Sequence, residues 1–336
     1  MLKLIRIILF PIIPVYYTIT WVRNFLYDKG ILKQTSFNLP VIAVGNLSTG
    51  GTGKSPMVEY LIDLLRKTNK IAVLSRGYGR KTKGFYQVEV ESNAHEVGDE
   101  PLQIKKKFPY VKVAVAENRV QGIQKLLEEE PWDAILLDDA FQHRKVKASG
   151  YILLTTYDQL YVDDMVLPTG NLREPKSGAK RGDIIVVTKC PKNLTQKDAV
   201  LITDKLKLAS GQHLFFSTII YDRQVKNKNS QIPLSNLKRN SFLLVTGIAN
   251  PDTLISYLNE QQLQFTHLNF PDHYHFNDKD IAKFNTYDKV LCTEKDYVRL
   301  SGHLPEEKLW YQPIKTTFLF DQEDKFDSEI LKRVEG

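Results

Sequence analysis

A glycine-rich segment, STGGTGKSP at residues 48–56, limits the fold of this chain more than any other part of its sequence. The apolar run LPVIAVGN at residues 39–46 precedes it, and a segment with helical periodicity follows over 54–67. A buried strand, a Gly-rich turn and a helix in that order form a phosphate-binding loop, in which backbone N–H groups and the helix N-terminus surround an anion. The segment therefore predicts a nucleotide site on an α/β sheet.

The loop departs from the usual pattern at one position, because Ser48 stands where the pattern has its first glycine. Two other glycines, Gly45 and Gly50, can supply the turn that this glycine would give. In the pattern the lysine reaches the β- and γ-phosphates and the hydroxyl holds Mg²⁺, which are the roles expected of Lys54 and Ser55. The predicted nucleotide-binding residues are Ser48, Thr49, Gly50, Gly51, Thr52, Gly53, Lys54 and Ser55.

A second motif, ILLDDAFQH at residues 135–143, places Asp138 and Asp139 at the carboxyl end of another apolar run. Ligands of open α/β sheets bind at that edge, where one carboxylate can hold Mg²⁺ directly or through water. An isolated Asp-Asp pair is usually only a solvated strand end. Together with a phosphate loop it favours a magnesium site.

Short runs rich in Val, Ile and Leu alternate with helical segments along most of the 336 residues. Such runs are typical of parallel strands covered on both faces, so we predict an α/β fold with a P-loop NTPase-like parallel sheet. A polar stretch at 223–240, read as a linker or an exposed ribbon, divides this core domain (36–222) from a second, smaller α/β domain (223–336). The predicted strands after the first are 70–77, 111–116, 134–140, 151–156 and 183–189, and then 241–248, 265–270 and 289–296.

The N-terminal segment, residues 1–35, contains the uncharged run IILFPIIPVYYTITWV at 7–22, with basic residues on both sides. The run is short for a membrane-spanning helix, and Pro11 and Pro14 would kink or interrupt a helix. A buried core helix is the alternative. We favour a membrane-associated helix in the interface, held on an anionic membrane surface by its flanking cations. The net charge of +7 suits an anionic partner, but no nucleic-acid-binding motif is present.

Four further loop motifs carry chemically active side chains. Carboxylates and histidines in loops can serve as acid or base groups, and arginines there suit phosphate or carboxylate partners. In one of them, Asp99 and Glu100 follow Gly98 in a predicted loop. The motifs are SRGYGR at 75–80, GDEP at 98–101, LPTGNLREP at 167–175 and FPDHYHF at 270–276.

Together with the phosphate loop, LLDDAFQHR and TEKD at 293–296, these motifs, in their order along the chain, closely resemble the tetraacyldisaccharide 4′-kinase family of lipid A biosynthesis. The family also has serine at the position of Ser48. The resemblance implies that ATP and Mg²⁺ are the cofactors, and that the acceptor is the 4′-hydroxyl of a tetraacylated glucosamine disaccharide 1-phosphate, giving lipid IVA. It places the enzyme on the cytoplasmic face of the inner membrane of a Gram-negative bacterium. No obligate protein partner is inferred.

The family's site residues map onto this chain one by one. Asp99 is the expected catalytic base and His273 its partner, with Lys54 on the phosphates. Because Asp99 and His273 lie in different predicted domains, the site would be complete only when the domains approach each other. The resemblance gives Ser55, Asp138, Asp139 and perhaps Glu100 to the metal, and Tyr78, Arg173 and Glu174 to the substrate.

Other classes of phosphate-loop protein fit the sequence less well. A membrane-associated switch or partitioning ATPase is the main alternative, but its loop has a signature lysine where this chain has Thr49. A GTPase needs an Asn/Thr-Lys-x-Asp motif, and the segment TKCP at 188–191 ends in Pro191. A binding module without chemistry is disfavoured by acid and base candidates in the loops.

Overall fold

The computed structural model describes residues 10–239, 241–272 and 274–335. Within them the chain forms two β-sheets with helices packed against them. The strands are β1 (Val41–Asn46), β2 (Ile71–Ser75), β3 (Tyr86–Gln87), β4 (Lys112–Val115), β5 (Ala134–Leu137), β6 (Gly150–Thr156), β7 (Ile184–Thr188), β8 (His213–Tyr221), β9 (Gln224–Lys226), β10 (Gln231–Pro233), β11 (Phe242–Thr246), β12 (Phe265–Asn269), β13 (Val290–Thr293), β14 (Leu309–Gln312) and β15 (Ile314–Phe318). The helices are α1 (Ile13–Asp28), α2 (Lys54–Leu65), α3 (Ala94–Val97), α4 (Asp99–Lys107), α5 (Arg119–Glu129), α6 (Gln196–Leu206), α7 (Asp252–Glu260), α8 (Asp278–Phe284), α9 (Glu294–Leu300) and α10 (Glu323–Glu335).

The larger sheet has nine strands in the order β15-β8-β7-β6-β1-β5-β2-β4-β3. The strands from β8 to β4 are parallel, and only the two edge strands, β15 and β3, pair antiparallel to their neighbours. Every residue of β1, β2, β5 and β7 is buried, because helices cover both faces of the sheet. This explains the uninterrupted apolar runs and confirms the predicted α/β fold with its parallel sheet.

The smaller sheet has six strands in the order β10-β9-β14-β13-β11-β12. The polar stretch at 223–240 contributes β9 and β10, which pair antiparallel as a ribbon at the sheet edge. The predicted strand at 289–296 is too long: it ends at Thr293, and α9 begins at Glu294. The Thr293 side chain accepts a hydrogen bond from the Asp296 backbone N–H, which makes it the N-cap of this helix.

The last part of the chain returns to the larger sheet. Strand β15 pairs antiparallel with β8, and Phe326 and Ile330 of α10 are fully buried in the core of that sheet. The rings of Phe318 and Phe326 stack at a centroid distance of 4.2 Å. The span expected for the second domain, 223–336, thus includes a strand and a helix that pack with the first.

The N-terminal helix α1 begins at Ile13, so that Pro14 lies in its first turn, where a proline is tolerated. Pro11 lies in the short 3₁₀ turn before it, and neither proline interrupts the helix. No helix among the described residues combines the length and the apolar character needed to cross a membrane. Residues 1–9, where the expected anchor begins, lie outside the described part of the chain.

Candidate active site

The phosphate loop joins β1 to α2, as the sequence predicted. Gly50 and Gly53 have φ angles of 108° and 84°, a backbone conformation that favours glycine over residues with a Cβ atom. Gly53 is the N-cap of α2, and Lys54 is its first residue. The loop therefore ends at a helix N-terminus, where partial positive charge and unpaired N–H groups attract an anion.

Neighbouring segments hold the loop in place. The Asn46 side-chain amide donates to Thr52 Oγ1 at 2.7 Å, and the Thr188 hydroxyl at the end of β7 donates to the Thr52 carbonyl at 2.8 Å. Ser48 forms an antiparallel bridge with Leu172, which pairs the start of the loop with the LPTGNLREP segment. At Ser48 the backbone is thus paired as an extended strand, which requires no glycine.

Asp139 forms ion pairs with two cations at the edge of the sheet. Lys54 Nζ lies 3.8 Å from Asp139 Oδ1, and the Arg173 guanidinium binds both carboxylate oxygens, at 2.9 and 3.2 Å. Burial opposes ionisation of Asp139, but Lys54 and Arg173 outweigh it and lower the pKa of this carboxyl. The fork of Arg173 thereby fixes the carboxylate that faces the phosphate-loop lysine.

Asp138, the other acidic residue of this motif, is in a different environment. It is 1% exposed, and its Oδ2 accepts a hydrogen bond from Ser75 Oγ at 2.9 Å. Burial, together with the nearby charges of Glu100 and Asp139, raises the pKa of Asp138 to about 7. Its Oδ1 atom is buried with no protein hydrogen-bond partner. A buried carboxylate oxygen without a protein donor is compatible with a bound cation.

The GDEP motif lies at a helix start rather than in the expected loop. A capping box formed by Asn93 and Glu96 starts α3, Gly98 follows with φ of 92°, and α4 begins directly at Asp99. Glu100 Oε1 lies 3.5 Å from Ser55 Oγ of the phosphate loop. Glu100 is thereby brought next to a residue in the first turn of α2.

Comparison with known proteins identifies this arrangement. A family model described as tetraacyldisaccharide-1-P 4′-kinase (LpxK) matches residues 5–335. The chain belongs to the LpxK family. The resemblance stated from the sequence motifs is thereby confirmed, and so is the assignment of the chain as a kinase of lipid A biosynthesis.

Relatives and a solved structure agree with this membership. The chain is 52% identical to the tetraacyldisaccharide 4′-kinase of Flavobacterium johnsoniae, over 99% of this chain and 98% of the relative, and 42% identical to that of Bacteroides thetaiotaomicron, over 96% and 92%. It is also similar to a crystal structure of the "apo" form of LpxK from Aquifex aeolicus in complex with ATP, with a TM-score of 0.81 and 32% identity, covering 98% and 99% of the two chains.

The LpxK-family motifs predicted to contact substrate lie in two environments. Tyr78 is 79% exposed, on the loop between two glycines with positive φ, Gly77 and Gly79. Glu174 is 2% exposed, and its oxygens accept hydrogen bonds from three protein side chains. This burial favours a positioning role for Glu174 over the direct substrate contact expected from the sequence. The donors to Glu174 are Asn24 Nδ2, Gln142 Nε2 and Arg181 Nη2.

The structure also adds site residues that the sequence reasoning missed. Lys295 Nζ donates to Glu100 Oε1 at 2.9 Å, and Arg299 Nε donates to Asp99 Oδ2 at 2.8 Å. Both cations lie on α9 of the smaller sheet, four residues apart. The TEKD motif was noted only as part of the family resemblance. The sequence predicted a strand, not a helix, over 289–296, so the spacing of four between these cations carried no signal. Only the tertiary fold pairs them with acids about two hundred residues away. His273 lies outside the described residues.

Within the described residues, no group of three or more His, Cys, Asp or Glu side chains is arranged to hold a metal ion by itself. This does not conflict with a magnesium site, since Mg²⁺ is usually held by one or two carboxylates together with waters and substrate phosphates. The oxygen donors present, namely Ser55 Oγ, the unpaired Asp138 Oδ1 and the Glu100 carboxylate, are hard ligands of the type Mg²⁺ prefers.

Proposed function

We propose that this enzyme transfers the γ-phosphate of ATP to the 4′-hydroxyl of a tetraacylated glucosamine disaccharide 1-phosphate, giving lipid IVA. The observation that carries the proposal is the 3.5 Å approach of Glu100 to Ser55. It places the first turn of α4, which carries the candidate base Asp99, beside the end of the phosphate loop. A switch ATPase needs no base for a sugar hydroxyl.

In this proposal the nucleotide phosphates lie on residues 48–55. The N–H groups of the glycine turn and the start of α2 bind them, and Lys54 neutralises the charge that develops as the phosphoryl group moves. The ion pair with Asp139 keeps the Lys54 ammonium at the mouth of the loop, 3.8 Å from the carboxylate. Arg173, which binds Asp139 from the other side, is the second positioning residue.

The same oxygen donors would hold Mg²⁺. We assign Ser55, Asp138 and Glu100 as candidates to bind it directly or through water. Asp139 is the weaker candidate, because Arg173 already engages both of its oxygens. Mg²⁺ held by these residues would supply positive charge that offsets the negative charge of the nucleotide phosphates.

Asp99 is proposed as the general base. A sugar hydroxyl is a poor nucleophile at neutral pH, so a carboxylate within hydrogen-bond reach must accept its proton as the oxygen attacks the γ-phosphorus and ADP leaves. The partnership of Asp99 with His273 stays a prediction. Tyr78, exposed on a glycine-rich loop, is proposed to contact the sugar at the rim of the site.

The N-terminal helix is proposed to lie in the membrane interface on the cytoplasmic side of the inner membrane, where an acceptor with four acyl chains would be found. Helix α1 exposes apolar side chains that would otherwise contact water. It is also tied to the site, because the Tyr16 hydroxyl donates to the Arg173 carbonyl at 2.9 Å and Asn24 donates to Glu174. The exposed apolar residues of this segment are Phe10, Ile12, Val15, Tyr17, Ile19, Trp21, Val22 and Phe25.

The test is a transfer assay with γ-labelled ATP, Mg²⁺ and the tetraacylated disaccharide 1-phosphate in mixed micelles. We expect the label to appear in the lipid, with little free phosphate in the absence of acceptor. Label released to water at the same rate with and without acceptor would instead support the switch ATPase. Label that remains in ATP under all conditions would contradict both.

A further inference from the structure

Two cations of α9 contact the two acidic residues that begin α4. Arg299 Nε donates to Asp99 Oδ2 at 2.8 Å, and its Nη2 lies 2.8 Å from the same oxygen. One turn earlier, Lys295 Nζ donates to Glu100 Oε1 at 2.9 Å. Residues four apart on a helix lie on one face, so a single face of α9 meets both members of the acidic pair.

The Arg299 side chain is fixed from its own side before it meets Asp99. Its Nη1 donates to Asp296 Oδ1 and to the Gly247 carbonyl, both at 3.2 Å. Asp296 is fully buried, and its other oxygen accepts the Gly247 N–H at 3.0 Å and the Thr293 hydroxyl at 2.7 Å. The Arg299 side chain itself is only 4% exposed. A planar guanidinium held in this way offers its remaining N–H groups in one direction.

We propose that Arg299 is a positioning residue for the candidate base Asp99, a role that rests on the function proposed above. By binding one carboxylate oxygen it sets the plane of the group that accepts the proton. Arg299 does not need to touch the substrate. The described charged groups beside the pair include Asp296 on the same helix and the Glu100–Lys295 pair.

The position of Arg299 gives this role a consequence for the whole site. Asp99 belongs to a helix of the larger sheet, whereas Arg299 belongs to α9 of the smaller one. Asp99 is thus held in place only while the two parts of the molecule are docked. Another cross-contact, in which Lys107 binds Glu59 at 2.7 Å and Glu294 at 2.8 Å, joins the same two parts without touching Asp99.

The experiment compares Arg299→Gln and Arg299→Lys with the wild-type full-length protein in the transfer assay at one fixed pH. For Arg299→Gln we expect kcat to fall on the order of 100-fold, because misplacing a catalytic group by about an ångström has such an effect. KM for ATP should change little, since no described contact of Arg299 is with the phosphate loop. Arg299→Lys, which keeps the charge but not the fork, should recover part of the activity and lose only roughly 10-fold in kcat.

Lys107→Gln is the matched control, because it removes a contact between the same two parts of the molecule without touching Asp99. It should lower the melting temperature, while kcat stays within about threefold of wild type. A wild-type kcat in Arg299→Gln would overturn the proposal, as would an equal loss of kcat in Arg299→Gln and Lys107→Gln. Should Arg299→Gln fail to fold, a wild-type kcat in Arg299→Lys would overturn it. Failure of the proposed function is distinct, since the wild-type protein itself would then transfer no label to lipid.

Discussion

At the scale of single residues, the site separates two neighbouring aspartates by environment. Asp138 is fully buried with one unpaired oxygen, and its pKa rises to about 7, whereas Asp139 is bound by Lys54 and Arg173 and its pKa falls. Asp138 is suited to bind a cation, and Asp139 is suited to orient Lys54. Two adjacent carboxyl groups thus acquire different chemistry from burial and ion pairing rather than from the sequence motif itself.

The candidate base can be tested by one substitution. We expect Asp99→Asn to lower kcat by roughly 10²- to 10⁴-fold, the usual contribution of a general base, because the amide cannot accept the hydroxyl proton. Nucleotide affinity should remain close to that of the wild type, since the phosphates bind the loop at residues 48–55. Steady-state transfer kinetics and calorimetric titration with a non-hydrolysable ATP analogue measure the two quantities. Asp63→Asn, at an exposed ion pair with Arg66, is the control, and equal activity in both variants would refute the assignment.

A glycine before the phosphate loop is needed for packing rather than for its backbone conformation. A Cβ atom at Gly45 would lie 2.7 Å from Phe141 Cβ and 2.9 Å from the Phe141 backbone nitrogen. Since real Cβ atoms do not approach so closely, Gly45→Ala should lower the free energy of unfolding by about 1–3 kcal/mol. Urea unfolding measures the change. Gly51→Ala is the matched control, because its Cβ would meet nothing closer than Lys189 Nζ at 3.8 Å, and equal stability of the two variants would contradict this explanation.

At the scale of elements, a buried cluster of three charges joins α2, α4 and α9. Lys107 binds the carboxylates of Glu59 and Glu294, whose side chains are 5% and 7% exposed. Burial and the neighbouring Glu59 raise the pKa of Glu294 to about 7, although Lys107 opposes the shift. One lysine thus only partly compensates two buried carboxylates. Ionisation of Glu294 is therefore unfavourable where the two sheets meet.

The sign of the resulting pH dependence follows from linkage. A carboxyl group whose pKa is raised in the folded state stabilises the fold at low pH, and this stability is lost as the pH rises through about 7. Glu294→Gln removes the ionisable group, so the variant should not lose this stability as the pH rises. The free energy of unfolding of Glu294→Gln relative to wild type should therefore increase by on the order of 2 kcal/mol from pH 4.5 to pH 8. Glu128→Gln, at an exposed ion pair, should show no such trend, and parallel stability curves for wild type and Glu294→Gln would contradict the prediction.

The elements also show which parts of this fold can be read from sequence. The unit from β1 to α2 was predictable because its signals are local: an apolar run, a glycine turn and a helix periodicity. The position of Asp138 was also predictable, because the carboxyl ends of parallel strands share one edge of the sheet. The helical start of α4 at Asp99 was missed. Its N-cap is Gly98, which offers no side-chain capping signal, and the capping box of Asn93 and Glu96 belongs to the short helix α3 before it.

The pairing between distant parts of the chain was not predictable from one sequence. Strand β15 completes the larger sheet beside β8, although the smaller sheet separates them in sequence. The contact of Arg299 with Asp99 depends likewise on how two sheets dock. Such contacts leave no periodic signal, since nothing in the local sequence specifies the partner of a strand edge or of a cation. The conformation of the phosphate loop was therefore predictable, whereas the arrangement around the candidate base was not.

At the scale of the whole molecule, the N-terminal helix and the site lie at the same edge of the larger sheet. Arg23 of α1 donates to the Gln142 carbonyl after β5, and Tyr16 donates to the Arg173 carbonyl. A membrane that contacted the outer face of α1 would therefore lie beside the mouth of the phosphate-loop cleft. A lipid-borne hydroxyl could reach the nucleotide from there while its acyl chains stayed in the bilayer.

This geometry leads to a prediction for membrane binding. Ile19 is 63% exposed on α1, and burying an isoleucine side chain in an apolar phase is worth about 1.5–3 kcal/mol. Ile19→Glu should therefore weaken binding to vesicles that contain anionic lipid by roughly 10- to 100-fold, through lost burial and added repulsion. Co-sedimentation with the vesicles measures the binding. The melting temperature should hardly change, because the side chain does not pack in the core.

The control for that experiment is an exposed aromatic residue at the other edge of the sheet. Tyr110 is fully exposed and precedes β4 at its amino end, so Tyr110→Glu adds the same charge without touching the proposed membrane face. If both variants bind vesicles equally, net charge alone governs adsorption and α1 is not the contact. The proposal expects that only Ile19→Glu loses vesicle binding. If this variant keeps full activity toward a short-chain acceptor, α1 is needed for membrane binding but not for phosphoryl transfer.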